Sequence, residues 1–180
     1  MKIETRQGFS HKMVELKARV DDHEVLRKKL STLGAEYVGT FQQTDLYFQV
    51  PEGRLKLREV KDSSTTELIY YEREDISGPK NDDSFILRIQ QADDLKMILK
   101  KILTPFRVIE KVREIFTLHG TQIHLDTVKK LGKFIEFERQ TNNYLHTTQN
   151  DHQILEKLMR QLDIPSCNLE ILSYSDIAET

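Results

Sequence analysis

A chain of 180 residues is long enough for one well-buried domain and barely for two, and 31% charged with 38% hydrophobic residues is the balance of an ordinary water-soluble fold. A net charge of -2 gives no overall positive field to collect a long polyanion, which argues against bulk nucleic-acid binding and against an anionic membrane surface as partner. Cys167 is a single cysteine and cannot close an intrachain disulfide, the six histidines lack zinc-site spacing, Met1 to Lys12 has no signal-peptide core, and no apolar run approaches the roughly 20 residues that span a bilayer, so a cytoplasmic protein is expected.

From the N-terminus, Glu15-Leu16-Lys17-Ala18-Arg19 alternates charged with apolar residues and predicts a strand over about Val14 to Asp21. A helix follows from about Asp22, with Val25, Leu26, Leu30 and Leu33 as its apolar stripe and Gly34 as its stop. Tyr37 to Gln49, Gly53 to Val60, Glu67 to Glu74 and Phe85 to Gln90 read as strands, separated by turn chemistry at Pro51-Glu52-Gly53 and Ser77-Gly78-Pro79. A second helix fits Asp93 to Leu103, where Leu95, Ile98, Leu99 and Ile102 share a face expected to be core, and Pro105 ends it. Three more strands fit Val108 to Leu118, Thr121 to Val128 and Lys133 to Arg139. A last amphipathic helix, about Asp151 to Leu162, carries Ile154, Leu155, Leu158, Met159 and Leu162 and stops before Pro165. No repeat or linker interrupts the pattern, so a single domain over residues 1–180 is expected.

Roughly eight strands on short connections, interrupted by helices, suggest an α+β fold with a curved antiparallel sheet that could close on itself. In an open sheet the charged face would be ordinary solvated surface. The charges, however, segregate by strand. Lys17, Lys56, Arg58, Arg73, Lys111 and Arg113 form a basic set; Glu15, Asp126, Glu136 and Glu138 form an acidic one. Positions within each strand are an even number of residues apart and so share a face. If the sheet closes, these side chains converge on a tunnel whose like charges repel unless a ligand neutralises them, and an anion with several phosphates bridged by a divalent cation would do so.

At Met13-Val14-Glu15-Leu16-Lys17, Thr44-Asp45-Leu46-Tyr47-Phe48, Gly53-Arg54-Leu55-Lys56-Leu57-Arg58-Glu59, Tyr71-Glu72-Arg73, Gly78-Pro79-Lys80, Lys111-Val112-Arg113-Glu114, Ile123-His124-Leu125-Asp126 and Leu131 to Glu138, the chain resembles the CYTH superfamily, the triphosphate tunnel metalloenzymes. The likeness is to its class IV adenylyl cyclase-like and thiamine triphosphatase-like branch. It runs from about Met13 to the C-terminus and leaves residues 1–12 as an N-terminal extension. The resemblance implies a closed eight-stranded antiparallel β-barrel with helices packed outside. It implies a triphosphate bound by Lys17, Lys56, Arg58, Arg73, Lys111 and Arg113, and one or two Mg2+ or Mn2+ ions held by Glu15, Asp126, Glu136 and Glu138. Glu136, Glu138 and Lys111 are the candidate catalytic groups.

Met13 departs from the family, whose first strand carries a glutamate there. A thioether is a poor ligand for a hard cation, so one metal contact is lost unless water or a neighbour replaces it. Hydrolysis of inorganic triphosphate, a nucleoside triphosphate or thiamine triphosphate is the expected reaction, because no segment is assignable to holding adenine and ribose. Cyclisation of ATP to cyclic AMP and pyrophosphate is the alternative, and a catalytically weakened polyphosphate-binding protein the second. There is no Walker-type phosphate loop. Lys80 lies in a Gly-Pro-Lys loop that could fold over a tunnel mouth and bind substrate, although such loops are more often plain turns. His124 reads as an orienting partner of a carboxylate, and Tyr47 and Tyr71 as packing residues. The expected partner is a triphosphate-containing small molecule; the sequence leaves open whether the chain forms a homodimer.

Overall fold

The computed structural model describes residues 10–141 and 148–178. Eight antiparallel strands close into a barrel: β1 (Ser10–Val20), β2 (Glu36–Phe48), β3 (Arg54–Val60), β4 (Thr65–Arg73), β5 (Lys80–Gln90), β6 (Pro105–Leu118), β7 (Thr121–Val128) and β8 (Gly132–Gln140). Around the barrel the order is β1-β5-β4-β3-β2-β6-β7-β8. Three longer helices, α1 (His23–Thr32), α2 (Asp93–Ile102) and α3 (Thr148–Gln161), are joined by a short α4 (Tyr174–Ile177).

Strict alternation decides which way each side chain points. Val14, Leu16 and Ala18 of β1, Ile123 and Leu125 of β7, and Ile135 and Phe137 of β8 face outward, where they pack against Leu26 and Leu30 of α1 and Leu155, Leu158, Met159 and Leu162 of α3. A second outer core joins Leu46, Phe48 and Leu57 to Leu99 of α2. The hydrophobic core therefore lies between barrel and helices, and the charged stripes are left to fill the interior.

Local chemistry sets the boundaries. Asp22 caps α1, its carboxylate accepting the Glu24 N–H at 2.7 Å, and Gly34, at φ +80°, ends the turn in a left-handed conformation. Gly53 opens β3 at φ +67°, and a Cβ there would lie 2.7 Å from the Tyr70 ring. Gly53→Ala is expected to lower stability by about 1–2 kcal/mol, read as a lower midpoint in thermal unfolding; an unchanged midpoint would show that the turn relaxes freely.

Three expectations change. The apolar stripe of α2 is core only in part: Leu99 is buried and Leu95 packs against the same cluster, but Ile98 and Ile102 are more than half exposed. Val25 of α1 is likewise exposed. Finally, Lys80 belongs to no loop; it starts β5 opposite Glu15 and is fully buried, since the strand extends five residues before Phe85.

Candidate functional site

Each interior side chain is placed by its register. Arg58 of β3 stands opposite Asp45 of β2, and its Nε and Nη2 donate to the two Asp45 oxygens at 2.8 and 2.9 Å. Lys111 of β6 reaches the same carboxylate at 3.2 Å and Lys56 of β3 at 3.4 Å. Arg113 stands opposite Asp126 of β7, donates to both its oxygens at 2.7 and 2.6 Å, and also holds Glu136 of β8 in a short ion pair. Lys17 of β1 faces Glu136 across the β1–β8 pair at 3.0 Å. Arg73 of β4 reaches Glu15 at 2.8 Å.

The structure thus brings nine of the ten sequence-predicted charges onto one narrow cavity of about 100 Å³, and adds Asp82 and Ser84 of β5 to its lining. Asp126 sits just behind the wall, fully buried, with Arg113 on both oxygens and the Tyr174 hydroxyl donating to one at 2.8 Å. Lys80 is inward-facing too, but its Nζ donates to the carbonyls of Ile171 and Glu170 at 2.8 and 3.3 Å.

One end of the interior is apolar. Tyr47, Ile109, Val128 and Phe134 each lie two residues beyond a charged position on their strand, and they pack with Tyr174 and Ile177 of α4. Met13, Glu15, Asp82 and Glu138 lie toward the other end.

Burial and neighbouring charge pull the ionisable groups in opposite directions. Burial alone would raise the carboxyls of Asp45 and Glu136, yet Arg58, Lys111 and Lys56 hold the first, and Lys17 and Arg113 the second, well below the usual range. Burial and the nearby Arg113 push Lys111 down to about 7, with Asp45 opposing. Burial and the charges of Glu15 and Glu138 push Asp82 up to about 8.

His124 of β7, expected to orient a carboxylate, stands opposite Glu136, and its Nδ1 lies 3.5 Å from Glu138 and 3.9 Å from Glu136. One ligand atom each from His124, Glu136 and Glu138 lies within 4.8 Å of the others, a cluster capable of coordinating a divalent metal. Nδ1 is buried without a hydrogen-bond partner, while Nε2 lies 3.1 Å from the Gln122 side-chain oxygen. When Nε2 carries the proton and donates to Gln122, Nδ1 is left with a free lone pair, as a metal ligand needs.

Asp45, Asp82, Tyr174 and the stretch from Glu170 to Leu172 were not among the candidates read from the sequence. Thr44-Asp45-Leu46-Tyr47 did show an inward-facing acid two positions from a tyrosine, which was a usable signal.

The family model for the CYTH domain matches residues 11–170. A protein of Methanocaldococcus jannaschii, named as a proposed adenylate cyclase, is 23% identical over 175 residues, covering 91% of this chain and 97% of its own. The PH1012 protein of Pyrococcus horikoshii OT3 superposes with a TM-score of 0.83 at 24% identity, over 92% of this chain and 98% of that one. A proposed adenylyl cyclase of Hippeastrum, described as having a dominant triphosphatase activity, superposes with a TM-score of 0.63 at 16% identity, over 92% and 93%.

Proposed function

The chain belongs to the CYTH domain family, the triphosphate tunnel metalloenzymes, and from that premise we propose that it is a metal-dependent triphosphatase acting inside its barrel. The observation that carries this reading is the inward convergence of Lys17, Lys56, Arg58, Arg73, Lys111 and Arg113 on one cavity alongside Glu15, Glu136 and Glu138. Buried cations at this density suit a ligand with several negative charges and little else.

The substrate is inorganic triphosphate, a nucleoside triphosphate or thiamine triphosphate. Its phosphate oxygens take over the guanidinium and ammonium donors now spent on carboxylates, and because those donors are pre-aligned by Asp45 and Asp126 they need little rearrangement to stabilise the transition state. His124, Glu136 and Glu138, with Glu15 nearby, would hold the cation; imidazole with carboxylates suits Mn2+, whereas Mg2+ would draw on the oxygens. When bound, the cation neutralises phosphate charge as a Lewis acid.

Of the two candidate bases, Glu138 is the freer. Glu136 is locked to Lys17 and Arg113, whereas among the described residues the charged contacts of Glu138 are His124 at 3.5 Å and Arg113 at 3.9 Å, with its side chain one-quarter exposed. Glu138 orients a water and takes its proton as the water oxygen attacks the terminal phosphorus. The bond from that phosphorus to the bridging oxygen breaks, and the remaining diphosphate leaves with its charge spread over Lys111, Lys56 and Arg58.

The name of the Methanocaldococcus relative favours a second reading, cyclisation of ATP; the activity described for the Hippeastrum protein favours hydrolysis. Phosphorus NMR of the protein with inorganic triphosphate, thiamine triphosphate and ATP decides between them. Orthophosphate release that needs Mg2+ or Mn2+ and stops on adding EDTA is the expected result. Pyrophosphate with cyclic AMP would make the chain a cyclase, and no product from any substrate would leave a polyphosphate-binding protein.

A further inference from the structure

Asp82 has no role in the scheme above, yet it is among the most unusual groups in the interior. Its side chain lines the tunnel, the residue is 94% buried at 6% exposure, and its Oδ1 has no hydrogen-bond partner. An unpaired buried carboxylate oxygen is costly and calls for a counter-charge. The cation placed to supply one does not. Arg73 stands opposite Asp82 on β4 but sends its guanidinium to Glu15, Asp75 and the Ile171 carbonyl.

Register places this carboxylate beside two others. On β1, Glu15 pairs with Glu138 of β8 on one side and with Lys80 of β5 on the other, so Asp82, two residues along β5, is its diagonal neighbour on the same inner face. The direct β1 partner of Asp82 is Met13. Met13 and Asp82 both line the cavity, as residues opposite one another on adjacent strands should. A carboxylate on β5 can therefore serve the region that a carboxylate at position 13 would serve.

We propose that Asp82 is a further ligand of the divalent cation that His124, Glu136 and Glu138 would hold in this chain, supplying from β5 the oxygen that Met13 cannot supply from β1 and joining Glu15 on the same side of the site. An added carboxylate gives the ion another hard oxygen donor suited to Mg2+ or Mn2+, and the cation supplies the counter-charge that the unpaired Oδ1 lacks. Asp82, Glu15 and Glu138 lie toward the end of the interior away from the apolar cluster around Tyr174 and Ile177 of α4. The assignment rests on the metal-dependent reading given above, and it makes Met13 a relocation of a ligand rather than its loss.

The test is titration of the full chain with Mn2+ alone, following free Mn2+ by electron paramagnetic resonance. Wild type should bind; Asp82→Asn, which keeps the shape of the side chain, should weaken binding by at least about tenfold; and Met13→Glu in the Asp82→Asn background should restore most of it. Asp83→Asn removes the same charge one residue away on the exposed outer face and should stay within about twofold of wild type. Thermal unfolding without metal should leave Asp82→Asn as stable as wild type or more so, because the neutral amide has neither a charge to bury beside Glu15 and Glu138 nor a proton to take up on folding. Equal Mn2+ affinity in wild type and Asp82→Asn, or an equal loss in Asp83→Asn, would overturn the role of Asp82 and leave the metal-dependent reading standing. No Mn2+ binding by wild type would overturn both.

Discussion

Asp45→Ala is expected to destabilise the protein by about 3–5 kcal/mol, the cost of removing one partner from a buried charge network. Asp45 is fully buried and is the shared counter-ion of Arg58, Lys56 and Lys111, contributed by two neighbouring strands. Without it three cations face one another in a poorly solvated interior, and Lys111, already pushed down to about 7, loses the stronger of the two carboxylates that favour its charged form. For a chain of this size the midpoint of thermal unfolding should fall by roughly 6–20 °C. Adding inorganic triphosphate should recover part of that loss, because the ligand binds only the folded state and supplies the missing negative charge. A variant that melts like wild type would show that the three cations are not interdependent. A pH test follows from the same contacts. The folded-state value of the Asp45 carboxyl lies well below its unfolded value, so its stabilisation is complete above the unfolded value of about 3.9 and is lost as pH falls below it; Asp45→Asn should flatten the acid limb of the stability profile.

Whatever depends on strand parity was legible in the sequence. Lys56-Leu57-Arg58 admits one reading once the segment is extended: Leu57 goes to one face and the two cations to the other, and the structure puts Leu57 against α2 and the cations in the tunnel. The same holds for Glu136-Phe137-Glu138. What escaped depends on partners remote in sequence or on elements too short for a period. Asp45 lies 13 residues from Arg58 and 66 from Lys111, and only barrel closure makes it their common counter-ion. Asn81-Asp82-Asp83 has the composition of a solvated turn, and its inward residue is distinguished from its outward neighbour only by the register with β1. Tyr174 lies in a helix of four residues, below the length at which any amphipathic repeat can be seen. Periodicity also misled, at Val25 of α1 and along α2. The α2 stripe is a sound helical signal, but a helix packed on the outside of a curved barrel covers less of its apolar face than one wedged in a groove, so Ile98 and Ile102 remain exposed.

Glu138→Gln is expected to lower triphosphate turnover by about a hundredfold to ten-thousandfold while leaving the fold intact, and its contrast with Glu136→Gln separates the two carboxylates. Both face the tunnel on β8, and sequence alone treats them as equivalent. Their surroundings differ. Glu136 is 8% exposed and carries ion pairs to Lys17 and Arg113, so its neutralisation should cost stability as well as rate by leaving Lys17 without its carboxylate partner. Glu138 is one-quarter exposed on its side chain and, among the described residues, makes the longer contacts to His124 and Arg113, so the amide should be accommodated with a change in melting temperature of no more than a degree or two. A base that takes a proton from water must have an oxygen to spare, and at neutral pH the strongly paired Glu136 is too weakly basic to be the better choice. Comparing kcat for the two variants under saturating Mn2+ removes any contribution from weakened metal binding. If Glu138→Gln keeps wild-type kcat under those conditions, the proton acceptor is another group, and Glu138 serves the cation alone.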